Sequence, residues 1–117
     1  MKKKQQIADQ NYLEYIPRRN ELLTWHTDSK GIVTLDIENT GFFNLAAQKL
    51  FGKPRFTHIH LDKVGSFVWP LIDGKKNIIQ LGKDVEERFG EEAAPLYERL
   101  AKYFQILESY HFIELRK

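Results

Sequence analysis

Apolar residues recur at helical spacing between Leu61 and Lys76, the most densely apolar segment of the chain. The spacing i, i+3, i+7, i+10 and i+11 places on one helix face Leu61, Val64, Val68, Leu71 and Ile72. Asp62 is predicted to cap this helix, because its side-chain oxygen can accept an unpaired backbone N–H. Pro70 lacks a backbone donor and clashes one turn back, so we expect the helix to kink or to end early there.

Three short runs before this segment are rich in β-forming residues, and in the second and third the residues alternate between two sides of a strand. These runs are Glu21–His26, Ile32–Ile37 and Arg55–Leu61. The polar loop Thr27–Gly31 joins the first two, which predicts a β-hairpin. In the second run the alternation places Val33, Leu35 and Ile37 on one side of the strand, and we expect this side to face the core.

Helical spacing also appears in three other segments. Phe42–Phe51 predicts a short amphipathic helix between the second and third strands. Asn77–Gly90 predicts a longer helix, which opens with a capping box formed by Asn77 and Gln80. The last helix is expected to begin around Pro95. Its inner stripe is Leu96, Leu100, Phe104 and Leu107.

The order of these elements predicts an α+β fold with a winged-helix-like plan. A three-stranded antiparallel sheet is expected to precede three helices, with the extra short helix inserted between strands 2 and 3. Phe112–Leu115 is expected to form a short terminal strand or a tail packed on the sheet. Residues 1–14 are polar and aperiodic and are interpreted as a flexible N-terminal arm, whereas residues 15–117 are interpreted as one domain. Arg18 and Arg19 are interpreted as solvated residues at a strand start.

Composition narrows the classes of function. The 117 residues are 42% hydrophobic and carry a net charge of +2, which is a mixed surface rather than the strong basic excess of a dedicated nucleic-acid binder. The absence of cysteine excludes disulfides, thiolate catalysis and cysteine-ligated metals within the chain. Lys2–Lys4 precede polar residues, and no apolar run approaches the ~20 residues of a membrane span, so we expect a soluble, cytoplasmic protein.

The order and spacing of several short patterns resemble the PqqD family of peptide chaperones, also called RiPP recognition elements. The resemblance covers roughly residues 15–115 and implies the winged-helix-like fold of the family. The matching parts are Pro17-Arg18-Arg19, Asp73-Gly74 at the end of the apolar helix, Asn77–Leu81, Phe89-Gly90 and Phe104–Ile113. Two features depart from the family pattern, namely the inserted segment Phe42–Phe51 and the proline at position 70.

The resemblance implies a non-catalytic role in natural-product biosynthesis, without a cofactor. In this family the leader of a ribosomally made precursor peptide adds as a strand to the third strand of the sheet and packs against the last helix. The domain then presents the precursor to a separate maturase, often a radical S-adenosylmethionine enzyme. By position, the strand side of the peptide-binding site is Arg55, Phe56, Thr57, His58, Ile59 and His60. The helix side is Tyr97, Leu100, Ala101 and Phe104. Lys63, Arg99 and Lys102 are expected to attract an acidic leader.

Other readings of the same residues compete with this one. His58 and His60 are two positions apart on a strand, a spacing that suits a metal. Nothing in the sequence places His26 or His111 beside them, so we expect no metal site. The glutamates near the ends of the last two helices are interpreted as a surface charge cluster rather than catalytic groups, because acidic residues at helix ends are usually solvated or interact with the helix dipole. The Phe42–Phe51 segment has an alternative interpretation as an enzyme-docking or homodimer face.

A winged-helix nucleic-acid-binding regulator is the alternative function from a different class. Asn77–Phe89 and Pro95–Ser109 would then form the helix-turn-helix. Recognition helices approach phosphates through cationic side chains. In this region the acidic residues outnumber the basic residues Arg88 and Arg99. The acidic residues are Glu86, Glu87, Glu91, Glu92 and Glu98. We therefore expect no nucleic-acid partner and no membrane partner.

Overall fold

The computed structural model describes residues 10–38 and 56–117. The elements follow one another as α1 (Gln10–Leu13), β1 (Ile16–Arg19), β2 (Thr24–Thr27), β3 (Val33–Glu38), β4 (Phe56–His60), α2 (Lys63–Val68), α3 (Ile78–Phe89), α4 (Leu96–Ser109) and β5 (Ile113–Arg116). Single 3-10 turns follow α2 and α3, at Trp69–Leu71 and Gly90–Ala93. The predicted helix Phe42–Phe51 and the predicted site residue Arg55 lie outside the described residues.

The predicted hairpin and third strand form an antiparallel sheet with the order β2-β3-β4. Val33, Leu35 and Ile37 are all buried on its inner side, as the alternation predicted. Trp25 of β2 and Ile59 of β4 flank Leu35 in the register and pack against the same core. The helices cover this face, so the sheet has one buried side and one side toward solvent.

A second sheet joins the two ends of the described chain. β1 pairs antiparallel with β5, with Ile16 opposite Arg116 and Arg19 opposite Ile113. The prediction of one three-stranded sheet is therefore incomplete, because the structure has two sheets. A four-residue strand that contains Pro17 has no alternating pattern of its own, and it becomes a strand through its distant partner.

The helix predicted in the apolar segment forms and ends early. Asp62 caps α2 by accepting a 2.7 Å hydrogen bond from the backbone N–H of Gly65. The α-helix stops at Val68, and the chain continues as a 3-10 turn that contains Pro70. A proline in the first positions of a 3-10 turn loses no hydrogen bond, because the first N–H groups of a helix have no partner within it. The sequence placed both the cap and the early end correctly.

Arg19 fastens the end of this turn, which corrects the interpretation of Arg19 as a solvated residue. Its Nη1 group lies 3.2, 2.9 and 3.2 Å from the backbone oxygens of Trp69, Pro70 and Ile72. The Arg19 backbone N–H also donates to the Ile72 carbonyl at 3.2 Å. Carbonyls at a helix end need such donors, so β1 supplies what the short helix lacks.

The last two helices close the core. α3 opens with the predicted capping box, in which Asn77 and Gln80 bond each other's backbone N–H groups at 2.9 and 2.8 Å. Gly82 is buried against the ring of Tyr97 on α4, and a Cβ at this position would overlap the ring. The small residue therefore sets how closely the two helices approach. At the N-terminal end, Leu13 of α1 joins the same core, within the segment interpreted as a flexible arm.

Candidate functional site

The outer edge of β4 is the first component of the candidate site. Among the described strands, β4 pairs with β3 alone. The Leu61 N–H donates to the Val33 carbonyl at 2.9 Å, which makes these two residues a hydrogen-bonded pair. Because such pairs alternate along an antiparallel ladder, the N–H and C=O of His60 point away from β3. A further strand that adds to the sheet would bond to groups on this side.

The histidines of β4 lie on the solvent side of the sheet and contact β3. The Nδ1 atom of His60 is 2.8 Å from the Thr34 hydroxyl oxygen, and the Nδ1 atom of His58 is 2.8 Å from an Asp36 carboxylate oxygen. His26 of β2 contacts the other Asp36 oxygen at 2.8 Å. The expectation that nothing places His26 near the β4 histidines was wrong, because cross-strand register brings them to one carboxylate.

Asp36 is electrostatically tuned by this arrangement. Partial burial acts to raise the pKa of its carboxyl, but hydrogen bonds and charge from His26 and His58 outweigh burial and hold the pKa below its usual range. Both imidazoles are more than half exposed. Across residues 10–38 and 56–117, no group of three or more His, Asp or Glu side chains has the geometry of a metal site. The cluster ties the three strands together across their outer face.

The helix residues proposed from the sequence lie mainly in the interior. Leu100, Ala101 and Phe104 are almost completely buried and belong to the side of α4 that closes the core. Tyr97 is half-buried and packs on α3, where its hydroxyl donates to the Ile79 carbonyl at 3.2 Å. On the strand side, Thr57 is buried and Ile59 half-buried, whereas His58 and His60 are exposed. For Phe56 the structure describes the backbone, as the first residue of β4.

A small cavity between α2 and α4 is the component that the sequence did not reveal. It has a volume of about 70 Å³ and lies just beyond the end of β4, with Asp62 at its rim. Its wall is mainly apolar and includes Val64 and Val68 from α2 and Leu96 and Leu100 from α4. No periodic signal marks such a space, because it depends on how closely two helices approach.

The rim of the cavity is held by polar contacts. The Tyr103 hydroxyl donates to the Gly65 carbonyl at 2.9 Å, and the pKa of Tyr103 is raised far above its usual value, first by burial and then by the charge of Asp62. Arg99 donates to the Glu92 carbonyl at 3.0 Å, and its second terminal nitrogen lies 3.9 Å from an Asp62 oxygen. The phenol therefore stays protonated, and both side chains are fixed before any ligand arrives.

An exposed apolar residue continues this surface of α4. Ile106 is 52% exposed, and it lies three positions after Tyr103, so both are on neighbouring parts of the helix face. Lys63 and Lys102 are exposed, whereas Arg99 is engaged with Asp62. The arrangement offers main-chain groups on β4, an apolar cavity beside its end, and an exposed isoleucine farther along α4. Such a surface can hold an extended peptide.

Comparison with known proteins identifies the family. The family model described as Coenzyme PQQ synthesis protein D (PqqD) matches residues 31–113, which include β3, β4 and α2 to α4. Searches of curated proteins and of solved structures each returned no match. In the two described ranges, no helix has the length and apolar character needed to cross a bilayer. Because the matched region covers most of the chain, this protein belongs to the PqqD family.

Proposed function

We propose that this protein binds the leader of a ribosomally made precursor peptide as an added strand on the outer edge of β4, packed against α4. Membership of the PqqD family implies a peptide-binding chaperone role in the biosynthesis of modified peptides, and members of the family are non-catalytic accessory proteins. The observation that carries the binding mode is the position of β4 at the edge of the sheet among the described strands, with His60 directing its main-chain groups outward.

Main-chain bonds alone do not hold such a peptide. Each hydrogen bond contributes a net ~1 kcal/mol, whereas each ordered residue costs about 1–2 kcal/mol of backbone entropy. Affinity therefore has to come from buried apolar side chains, and the main-chain bonds set register and direction. The exposed part of Ile106 and the cavity beside Tyr103 provide apolar surface for this purpose.

The residues expected from the sequence take different roles in this proposal. β4, from Phe56 to His60, provides the strand to which the leader adds. Arg55 lies outside the described residues and stays a prediction from the sequence. Leu100 forms part of the cavity wall, while Ala101 and Phe104 support α4 from the core. Tyr97 positions α4 against α3 through Ile79. The bound leader is presented to a separate maturase, which we propose to be a radical S-adenosylmethionine enzyme.

A single proline substitution in β4 tests the strand addition directly. In His60→Pro the outward N–H is removed, while the ladder between β3 and β4 keeps its bonds, because His60 is not in a hydrogen-bonded pair. His60→Ala is the matched control, since it removes the same imidazole contact to Thr34 and keeps the N–H. We expect calorimetry with a synthetic leader, taken from a precursor reading frame beside the gene, to show loss of binding for the proline variant alone.

Two further measurements locate the peptide. In an NMR titration we expect shifts along β4 and α4, and shifts confined to β1 and β5 would refute the proposal. Ile106→Asp should weaken the leader complex, because it places a charge on apolar contact surface. Leu22→Asp is the control, since Leu22 is 69% exposed in the turn between β1 and β2. Tight, salt-sensitive binding to duplex DNA in the same buffer would favour the regulator alternative instead.

A further inference from the structure

We infer that the cavity between α2 and α4 receives one branched aliphatic side chain of the bound peptide and excludes aromatic side chains. The inference rests on the proposed function and adds a specificity to it: the leader must carry valine, leucine or isoleucine at the position beside the end of β4. The cavity, its rim and its distance from β4 along the chain carry the argument.

Position is the first step. Leu61 and Asp62 follow directly after β4, and Asp62 forms the cavity rim. A strand added to β4 lies about 4.8 Å from it, and its side chains alternate between the two faces of the sheet. The side chains on the inner face share the side of Ile59 and Leu61, which pack against the core. A peptide residue on that face, level with the end of β4, therefore directs its side chain toward α2 and α4.

Size and chemistry are the second step. The cavity found here, about 70 Å³, has less than half the volume of an apolar cavity of roughly 150 Å³ that accommodates benzene in another protein, so we expect it to favour a branched aliphatic side chain over an aromatic ring. It matches the branched end of an aliphatic side chain. Water gains few partners there, because the wall includes Val64, Val68, Leu96 and Leu100. Filling it with methyl groups removes apolar surface from water on both sides.

The cavity is formed before binding, which is the third step. A Cβ at Gly65 would lie 2.9 Å from the Tyr103 ring and 3.0 Å from an Asp62 oxygen, so only glycine permits this close approach. Tyr103 bonds to the Gly65 carbonyl, and Arg99 bonds to the Glu92 carbonyl. A rim fixed in this way does not need to be ordered by the ligand, which lowers the cost of binding.

Small alcohols test the cavity without a leader peptide. We expect 3-methylbutan-1-ol to shift the methyl signals of Val64, Val68 and Leu100 and to give intermolecular NOEs to them, and 2-phenylethanol to bind at least roughly tenfold more weakly. Ala93→Val should abolish binding, because Ala93 is buried in the cavity wall. Leu96→Ala enlarges the cavity at a half-buried position and should admit 2-phenylethanol. Equal binding of both alcohols to the unmodified protein would overturn the inference.

Peptide selection separates this inference from the proposed function. Short random peptides displayed on phage are selected on the unmodified protein and on Leu96→Ala, and the winners are mapped by NMR. The inference is supported if the selected peptides perturb β4 and share one aliphatic position, and if peptides selected on Leu96→Ala carry phenylalanine at that position. Winners that perturb β4 without any aliphatic preference overturn the inference and leave the strand addition standing. Alcohol in the cavity with no peptide on β4 overturns both, because the inference then lacks its substrate.

Discussion

Arg19 is expected to be one of the most important polar residues for the stability of this fold. Its guanidinium contacts the backbone oxygens of Trp69, Pro70 and Ile72 and lies 5.3 Å from the centre of the Trp25 ring. One nitrogen carries two hydrogens, so the three contacts are equivalent to about two charged hydrogen bonds, each contributing about 1.5–3 kcal/mol when shielded from water. The cation–π contact adds ~0.5 kcal/mol at a partly exposed site.

Solvent reduces this total. Arg19 is half-buried, and the Pro70 carbonyl lies where water can replace the lost donor. We therefore expect Arg19→Ala to lower the free energy of unfolding by about 2–3 kcal/mol, a large fraction of the ~5–15 kcal/mol typical of a domain. Arg19→Lys should recover part of the loss, because an ammonium keeps the charge but not the planar geometry of the guanidinium.

Arg18→Ala is the matched control, because Arg18 is the neighbouring residue of the same strand and has the same charge. Its 3.3 Å ion pair with Glu114 joins side chains that are 43% and 59% exposed, and such pairs contribute at most about 1 kcal/mol. The stability of both variants is measured by urea unfolding, with tryptophan fluorescence as the signal. The unfolding midpoints are compared after checking that the dependence of the unfolding free energy on urea has the same slope. If Arg19→Ala and Arg18→Ala lose the same stability within about 0.5 kcal/mol, the reasoning about the carbonyl contacts is refuted.

Three further predictions concern other parts of the fold. Asp36→Asn should lower the free energy of unfolding at neutral pH and flatten its dependence on acid pH, as measured by urea unfolding. The pKa of Asp36 is lowered in the folded protein, so its carboxylate stabilises the fold above the unfolded-state pKa of about 4, and this stability is lost as the pH falls through the folded-state pKa. An unchanged pH profile would contradict the role of the two histidines. Gly82→Ala should destabilise the protein by about 1–3 kcal/mol in thermal unfolding, because the cost of overlap with the Tyr97 ring is larger than the ~1 kcal/mol gain in helix propensity. In the control background Tyr97→Ala, the same substitution should stabilise the protein. Asn77→Ala should cost ~1 kcal/mol by circular dichroism melting, and Gln80→Ala less, since Asn77 is the cap itself; a neutral Asn77→Ala would argue against the capping box.

The features that the sequence predicted are local ones. The alternation of Val33, Leu35 and Ile37 predicted the buried face of β3, and all three are in the core. Asp62 and Pro70 predicted where α2 begins and ends, because capping and the missing proline donor act within one helical turn. The order of such elements was enough to indicate the PqqD family, which the family model then confirmed over residues 31–113.

The inner stripe of α4 shows where sequence reasoning about the site was limited. Periodicity identified Leu100 and Phe104 as one face of the helix, and that face is buried. The same pattern cannot tell which flank of the helix lies near the strand edge, because this depends on how α4 rotates against α2 and α3. In the structure, Tyr103 and Arg99 are the α4 residues that belong to the candidate site, because they contact Gly65 and Asp62.

By itself the sequence determined β2 to β4 and α2 to α4, the caps of α2 and α3, the buried face of the central strand and the family. Only the tertiary structure decided the pairing of β1 with β5, the contacts of Arg19, the sharing of Asp36 by His26 and His58, and the cavity between α2 and α4. The physical reason is the range of the interactions. Caps and periodic faces depend on residues within a few positions of each other, whereas these features join residues that lie far apart in the chain and meet only after the core has packed.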